Sequence, residues 1–267
     1  MSLSIATWNI NSVRLRIGLI LQFLAEHQPD VLCLQETKCP DALFPEKAFR
    51  EAGYPHLALS GQKGYNGVAI VSRRPLFGVD RNHFCDRIDC RHIEAKVESG
   101  QQHVTLHNFY VPAGGDEPDP DKNVKFAHKL AFIEELTQAA ERLAQPGSIL
   151  VGDLNIAPLE TDVWSHRQLL KVVSHTPVET EGLLRFQAAG PWVDVMRRFV
   201  PPEEKLFTWW SYRSPNWEAS DRGRRLDHIW AATDVAARAQ GIKVIKEARG
   251  WERPSDHVPV IATFAEA

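Results

Sequence analysis

Five polar clusters stand at the ends of apolar runs. Thr7-Trp8-Asn9-Ile10-Asn11 closes the first run, Leu34-Gln35-Glu36-Thr37-Lys38 the second, and Asn108-Phe109-Tyr110-Val111-Pro112 a third. Val151-Gly152-Asp153-Leu154-Asn155 ends a fourth, and Ser255-Asp256-His257 opens the last. In a layered α/β protein, strand ends are where loops converge, so repeated polar strand ends suggest one assembled site. The oxygen-rich set Glu36, Asp153, Asp227 and Asp256, with amide side chains close by, suits Mg²⁺ or Mn²⁺ rather than zinc, because hard oxygens match hard cations. His257, paired with a carboxylate, would be held as an imidazolium against a phosphoryl oxygen. A metal to neutralise developing charge, a carboxylate to accept a proton from water, and Asn and Tyr donors to place the phosphate are what phosphodiester hydrolysis requires. Rival chemistries lack their sequences: there is no G-x-S-x-G, no G-x-x-x-x-G-K-[ST] and no G-x-G-x-x-G. Taken singly, each residue has a plainer reading, as a turn former, a structural histidine, a packed tyrosine or a surface ion pair.

Such a site needs strands to present it. Short apolar, β-branched segments predict strands over 3–9, 31–35, 68–72, 92–97, 104–111, 149–152, 226–231, 242–245 and 258–264. Amphipathic helices are predicted over 13–27, with Val13, Ile17, Ile20, Leu21 and Leu24 on one stripe, and over 125–143, with Phe126, Leu130, Ile133, Leu136, Ala140 and Leu143 on another. The order is β-α-β, then mainly β, then a helix, then β again, which indicates mixed sheets covered by helices. The Pro-rich loop 114–121 joins a strand to its next helix and does not divide the chain, so residues 1–267 read as one domain.

Composition narrows the class. Of 267 residues, 43% are apolar and 24% charged, as in an ordered globular protein, and no run approaches the ~20 apolar residues that cross a bilayer. The N-terminal stretch has neither a charged n-region nor a long apolar core, so a cytoplasmic location is expected. Cys33, Cys39, Cys85 and Cys90 form no C-x-x-C pair and no disulfide framework, and Cys33 reads as a buried thiol. The formal charge of −3 argues against coating nucleic acid through bulk charge, yet residues 205–226 carry five basic against two acidic side chains.

The clusters named above, together with Asn66-Gly67-Val68-Ala69, Ala157-Pro158, Phe207-Thr208-Trp209-Trp210, Arg225-Leu226-Asp227 and Val258-Pro259, occur in an order that resembles the endonuclease/exonuclease/phosphatase superfamily. Within it, the chain is similar to the bacterial exonuclease III branch of abasic-site endonucleases over about residues 3–264. The resemblance implies an α/β four-layer sandwich, two mixed β-sheets packed face to face and flanked by helices. It implies Glu36 as the principal Mg²⁺ ligand, with Mn²⁺ able to substitute, and Asn9 and Asp256 coordinating directly or through water. Asp153 would be the general base or orient the attacking water, and Asn155 would hold that water or a phosphate oxygen; both belong to the implied metal set. His257 would contact the scissile phosphate, kept protonated by Asp227, and Tyr110 would donate to the phosphate or stabilise the leaving oxygen.

The resemblance also implies double-stranded DNA with abasic sites or blocked 3′ ends as substrate, incised 5′ to the lesion in base-excision repair, with 3′-to-5′ exonuclease activity. A monomer without an obligate protein partner, in a bacterial cytoplasm, is the default expectation. Arg14, Lys38, Tyr65 and Arg91 match positions lining the family's DNA groove. Five aromatics stand within 207–217, and the residue expected against an abasic sugar is Trp210. Two departures stand out: Ala113 follows Pro112 where an amide often reaches the phosphate, and Asn11 replaces an Asp of some relatives. The alternatives from other classes are a phosphatase acting on inositol phosphates or phospholipids, and a non-catalytic relative that binds DNA.

Overall fold

Continuous apolar runs need cover on both faces, and here they have it. The computed structural model describes residues 2–267. Its strands are β1 (Ser2–Asn9), β2 (Val31–Gln35), β3 (His56–Ser60), β4 (Val68–Ser72), β5 (Leu76–Asp80), β6 (His92–Ser99), β7 (Gln102–Tyr110), β8 (Ser148–Asp153), β9 (Trp192–Asp194), β10 (Trp209–Trp210), β11 (Gly223–Arg224), β12 (Asp227–Ala232), β13 (Ala239–Val244) and β14 (Val260–Ala265). One six-stranded sheet runs β13-β14-β1-β2-β4-β3, and the other runs β5-β6-β7-β8-β12-β9. Each holds one parallel pair, β1/β2 or β7/β8, among antiparallel neighbours.

Alternation along the strands fills two kinds of interior. Ile5, Cys33, Val68 and Ile70 of one sheet meet Ile93, Leu106, Ile149, Val151 and Ile229 of the other between the sheets. The opposite faces go outward under helices: Leu32 and Leu34 pack with Ile20, Phe23 and Leu24 of the helix Ile17–His27. Phe109, Leu150 and Trp230 pack with Phe132 and Leu136 of the helix Val124–Gln138 and with Leu183 and Phe186 of the helix Pro177–Ala188. This is the four-layer arrangement. Asn108 stitches the layers, donating from β7 to the carbonyls of Leu34 and Ala69 and accepting from Gln35. Among the described residues no helix is long and apolar enough to cross a membrane.

Each strand expected from the sequence is present within a few residues; the edge strands β3, β5 and β9 and the two-residue strands of the β10/β11 ribbon were not expected. The first helix begins at Ile17 rather than Val13, because the preceding backbone is drawn to the glutamate loop: Ser12 N–H donates to Glu36 O and Val13 N–H to Thr37 O. The 125–143 helix is interrupted at Ala139. Thr137 Oγ1 donates back to Ile133 O, and Ala139 N–H is shared between the carbonyls of Glu135 and Thr137. The helix Pro177–Ala188 did carry a sequence signal, a Thr176 cap answered by Glu179 with proline at its first position.

That helix matters to the site. Glu179 accepts from Lys129 Nζ at 2.5 Å, and both side chains are fully buried. Lys129 Nζ also donates to Asn155 O and Ala113 O, so a buried cation ties the loop after β8 to the loop after β7. Lys129→Met leaves the Glu179 carboxylate without its counter-charge. A loss of about 3–5 kcal/mol in urea-induced unfolding is expected, and a loss below ~1 kcal/mol would contradict this role.

Candidate active site

Register alone gathers the polar strand ends. Asn9 pairs with Gln35 across β1/β2, Tyr110 with Asp153 across β7/β8, and Asp153 with Asp227 across β8/β12. Two left-handed residues then turn the chain back over this edge, Glu36 at φ 50° and Asn155 at φ 54°. Gly67, at φ 93°, lets the 66–67 backbone close on the glutamate loop; a Cβ there would lie 2.1 Å from Thr37 Oγ1. The segment before β14 is pinned by Ser255, whose Oγ donates to Asn9 O and accepts from His257 N–H, and by Trp8 Nε1 on His257 O.

The result is a line of buried groups. His257 Nδ1 lies 2.8 Å from Asp227 Oδ2, and its Nε2 lies 3.6 Å from Asp153 Oδ2. Burial alone would discharge His257, but the carboxylates of Asp227 and Asp153 outweigh it and raise its pKa to about 10. The imidazole is therefore a cation at neutral pH. Asp153 is shifted upward, chiefly by burial, with the charges of Asp227 and Glu36 adding to it and those of His257 and the Asn9 hydrogen bond opposing. It accepts from Asn9 Nδ2 at 2.8 Å, from Asn155 N–H at 2.9 Å and from Asn155 Nδ2 at 3.2 Å.

Glu36 behaves oppositely. Burial would raise its pKa, yet Lys38, Asn9 and His257 together lower it, so it is ionised. Its Oε1 accepts from Asn9 Nδ2 at 2.9 Å and its Oε2 lies 2.8 Å from Lys38 Nζ. Tyr110 is buried at the end of β7, paired in register with Asp153. Burial and then the charges of Glu36 and Asp153 push its pKa well up, so it remains a donor.

The donor set fits a hard divalent cation at Glu36. The carboxylate lines an open cavity with Asp256, and Lys38 already shows that a cation is held there: its ammonium bridges Glu36 and Asn11 Oδ1. Asn9 takes another part in this geometry. Its amide nitrogen is turned to Glu36 and Asp153 and its Oδ1 accepts from Asn11 N–H, which makes it a strut between the carboxylates. Asp153 and Asn155, offered as metal groups by sequence, are likewise engaged with each other, and Asn155 Nδ2 also donates to Val111 O.

A cavity of about 810 Å³ opens over these groups, lined by Glu36, Asn155, Asp256 and His257 and walled by Trp164, Val173, Ser174, Trp209, Arg224 and Leu226. Trp210 is not in it, which corrects the sequence expectation. Trp210 is 1% exposed, packed edge-on to Phe207 and Trp217 and under Lys246, with its Nε1 donating to Asp221. Its neighbour Trp209 faces the cavity and donates from Nε1 to Asp256 Oδ2. Trp210→Ala is expected to cost about 3–5 kcal/mol of stability. Trp209→Ala should instead cost far less stability, as read by unfolding curves of the two variants side by side.

The groove residues divide. Tyr65, 66% exposed, and Arg91 line a second depression of about 430 Å³ that shares Ala113 and Gly115 with the main cavity. Arg91 is ion-paired with Asp89 and lies over the Tyr110 ring. Lys38 is drawn inward onto Glu36, and Arg14 is exposed outside both depressions. Residues the sequence did not single out for the site include Lys129, Ser174 and Arg224, and of the adjacent tryptophans it chose Trp210 over Trp209.

Comparison with known proteins decides the family. Residues 6–257 match the Endonuclease/Exonuclease/phosphatase family. The chain belongs to that family. This member is 31% identical to exodeoxyribonuclease III of Haemophilus influenzae, over 97% of this chain and 98% of the relative. Its fold is similar to an AP endonuclease from Archaeoglobus fulgidus, with a TM-score of 0.89, 33% identity and coverage of 98% and 99%. The 3′ phosphatase NExo from Neisseria, solved with a product DNA hairpin, superposes with a TM-score of 0.87 at 34% identity, over 98% of this chain and 99% of the other.

Proposed function

We propose that this protein hydrolyses DNA phosphodiesters in base-excision repair, incising 5′ to abasic sites, clearing blocked 3′ ends and degrading duplex DNA from the 3′ end. The observation that carries the reading is the Asp227–His257–Asp153 line facing ionised Glu36 across one cavity. Glu36, with Asp256 beside it, would hold Mg²⁺, which when bound neutralises charge on the phosphate; Mn²⁺ meets the same donors. His257, a cation, donates from Nε2 to a phosphate oxygen. Asp153 accepts the proton of the attacking water while Asn155 Oδ1, which accepts no hydrogen bond among the described residues, orients that water. Water oxygen bonds to phosphorus, the P–O3′ bond breaks, and the 3′ oxygen leaves, taking a proton from solvent water. Tyr110, a neutral phenol, donates to the phosphate or to the leaving oxygen. Tyr65 and Arg91 extend the surface along which a duplex lies, and Ala113 leaves that surface without the amide other members place there.

We read residues 1–267 as one catalytic domain acting as a monomer, without an obligate protein partner, in a bacterial cytoplasm where chromosomal DNA is at hand. A labelled duplex with one stable abasic analogue, beside its unmodified twin, with Mg²⁺ and with EDTA, tests the reading. Mg²⁺-dependent cutting at the analogue is expected. No cleavage of either duplex, with release of phosphate from inositol phosphates instead, would overturn it.

The electrostatics predict a pH profile. Activity should fall on the alkaline side as His257 loses its proton, near pH 10. Asp227→Asn removes the larger of the two charges that raise this pKa, so the alkaline limb should move down by more than one pH unit. Above pH 10 the rate should drop about tenfold per unit of that shift, while at pH 8 it should change little through the charge of His257. An unmoved limb would show that another group carries it.

A further inference from the structure

The stretch 164–175 supplies Trp164, Val172, Val173 and Ser174 to the cavity wall, and a histidine stands near each end of it. Their rings meet outside the catalytic line. His166 Nδ1, on the short helix His166–Leu169, lies 2.8 Å from His175 Nε2, with the ring planes nearly perpendicular at 84°. The protons can be placed from the partners. His175 Nδ1 lies 2.6 Å from Ala157 O, an atom that only accepts, so Nδ1 carries a hydrogen. Burial pushes the His175 pKa down, so the ring is neutral and its Nε2 presents a bare lone pair to His166. On the far side of His166, Nε2 lies 3.5 Å from Glu160 Oε1, again an acceptor. With its proton on Nδ1 to serve His175, a neutral His166 turns a lone pair on that carboxylate. Two lone pairs and two oxygens thus surround a position held by a single proton.

We infer that His166 and His175 form a binding site for Zn²⁺, separate from the hard-cation site at Glu36. Imidazole nitrogens select zinc and its transition-metal neighbours over Mg²⁺. The ion takes the place of the shared proton. His175 Nε2 is a ligand as it stands, and ligation moves the His166 proton from Nδ1 to Nε2, where Glu160 accepts it, so a neutral ring releases no proton. Each ring then donates its far N–H to an oxygen, His175 to a backbone carbonyl and His166 to a carboxylate. That outer arrangement fixes tautomer and orientation in histidine metal sites. The spacing is close to what is needed: two nitrogens at ~2.0–2.1 Å on a tetrahedral zinc stand roughly 3.3 Å apart, so the rings open by about 0.5 Å. His166 can make that movement, because its side chain is 37% exposed, and water completes the coordination. A second cluster, His92, Glu94 and His107, brings its ligand atoms within 4.8 Å of one another but fails the same proton test. There Asn82 N–H donates to His92 Nδ1, which leaves the hydrogen on Nε2, the atom turned to His107. An ion at His166 and His175 ties the helix His166–Leu169 to the end of the wall segment.

The test is calorimetric titration of the full-length protein with Zn²⁺, in excess Mg²⁺ to occupy the hard-cation site, beside His166→Gln and Glu160→Gln. The native protein should bind one equivalent more than His166→Gln; because the difference is read, zinc taken up elsewhere cancels. Glu160→Gln should keep that equivalent and bind it about tenfold more weakly, the loss expected when the outer partner of a ligating histidine is changed. At Zn²⁺ about tenfold above the native Kd, the melting temperature should rise about 3–5 °C more in the native protein than in His166→Gln. Equal stoichiometry in the native protein and His166→Gln would overturn the site and leave the two rings sharing a proton only. If His166→Gln does not fold, the ring-nitrogen NMR signals of His166 and His175 in the native protein replace it. Zn²⁺ should shift both signals where Mg²⁺ moves neither, and signals that stay in place under Zn²⁺ would overturn the site.

Discussion

Asp153→Asn is expected to lower the rate of abasic-site incision about 10²- to 10⁴-fold, the range for a positioned proton acceptor, with no loss of thermal stability. The replacement is nearly isosteric, so packing inside the 8–12 strand pairing is kept. What changes is charge. Burial raises the Asp153 pKa, so at pH above that value the ionised form destabilises the native state. Removing the carboxylate removes that penalty, and the melting temperature should hold or rise. DNA binding should hold or tighten as well, because one negative charge facing the phosphate is gone. A variant that loses activity and stability together would make Asp153 a structural residue, the plain reading of a turn former after β8. A variant that stays active within a factor of ten would leave the water to another base. The combination predicted here, a slow enzyme that is no less stable and no weaker in binding, follows only if the site maintains a strained charge for chemistry.

The polar groups that the fold gathers at one edge were legible in the sequence for a physical reason. Asn9, Glu36, Tyr110, Asp153, Asp227 and Asp256-His257 each interrupt an apolar run, and burying such runs in two sheets leaves their polar ends on one edge. Pairing register then does the rest, setting Tyr110 beside Asp153 and Asp153 beside Asp227. The walls of the cavity were not legible. Trp209 and Trp210 are adjacent and of one type; which of them turns inward is set by Phe207, Trp217 and Lys246, all contacts of the folded chain. Arg224 and Arg225 differ in the same way, because the partners of Arg225, Asp162 and Asp194, lie 63 and 31 residues away in the chain. Lys129 looks like a solvated residue on the helix Val124–Gln138 until Glu179, fifty residues on, is brought against it. Local pattern places a polar residue at a strand end, whereas partners remote in sequence decide whether a long side chain faces the site or the core.

Glu36→Gln should separate the roles of the two carboxylates. Glu36 is ionised, held by Asn9 and Lys38, and stands with Asp256 at the cavity where a hard cation would be bound. An amide keeps one acceptor oxygen but loses the charge that attracts the ion, so the Mg²⁺ concentration giving half-maximal cleavage should rise at least about tenfold. The rate at saturating Mg²⁺ should fall about 10²-fold or more, since charge stabilisation by a metal is worth several kcal/mol. Asp153→Asn should leave the Mg²⁺ midpoint nearly unmoved while lowering the plateau. A Mg²⁺ titration of both variants on the same abasic duplex therefore distinguishes a metal ligand from a proton acceptor without a structure of the complex. If the midpoint moves in Asp153→Asn and not in Glu36→Gln, the assignments must be exchanged. The hydrogen bonds of Asn9, which bridges the two carboxylates, would then have to be re-read as holding the metal ligand rather than the base.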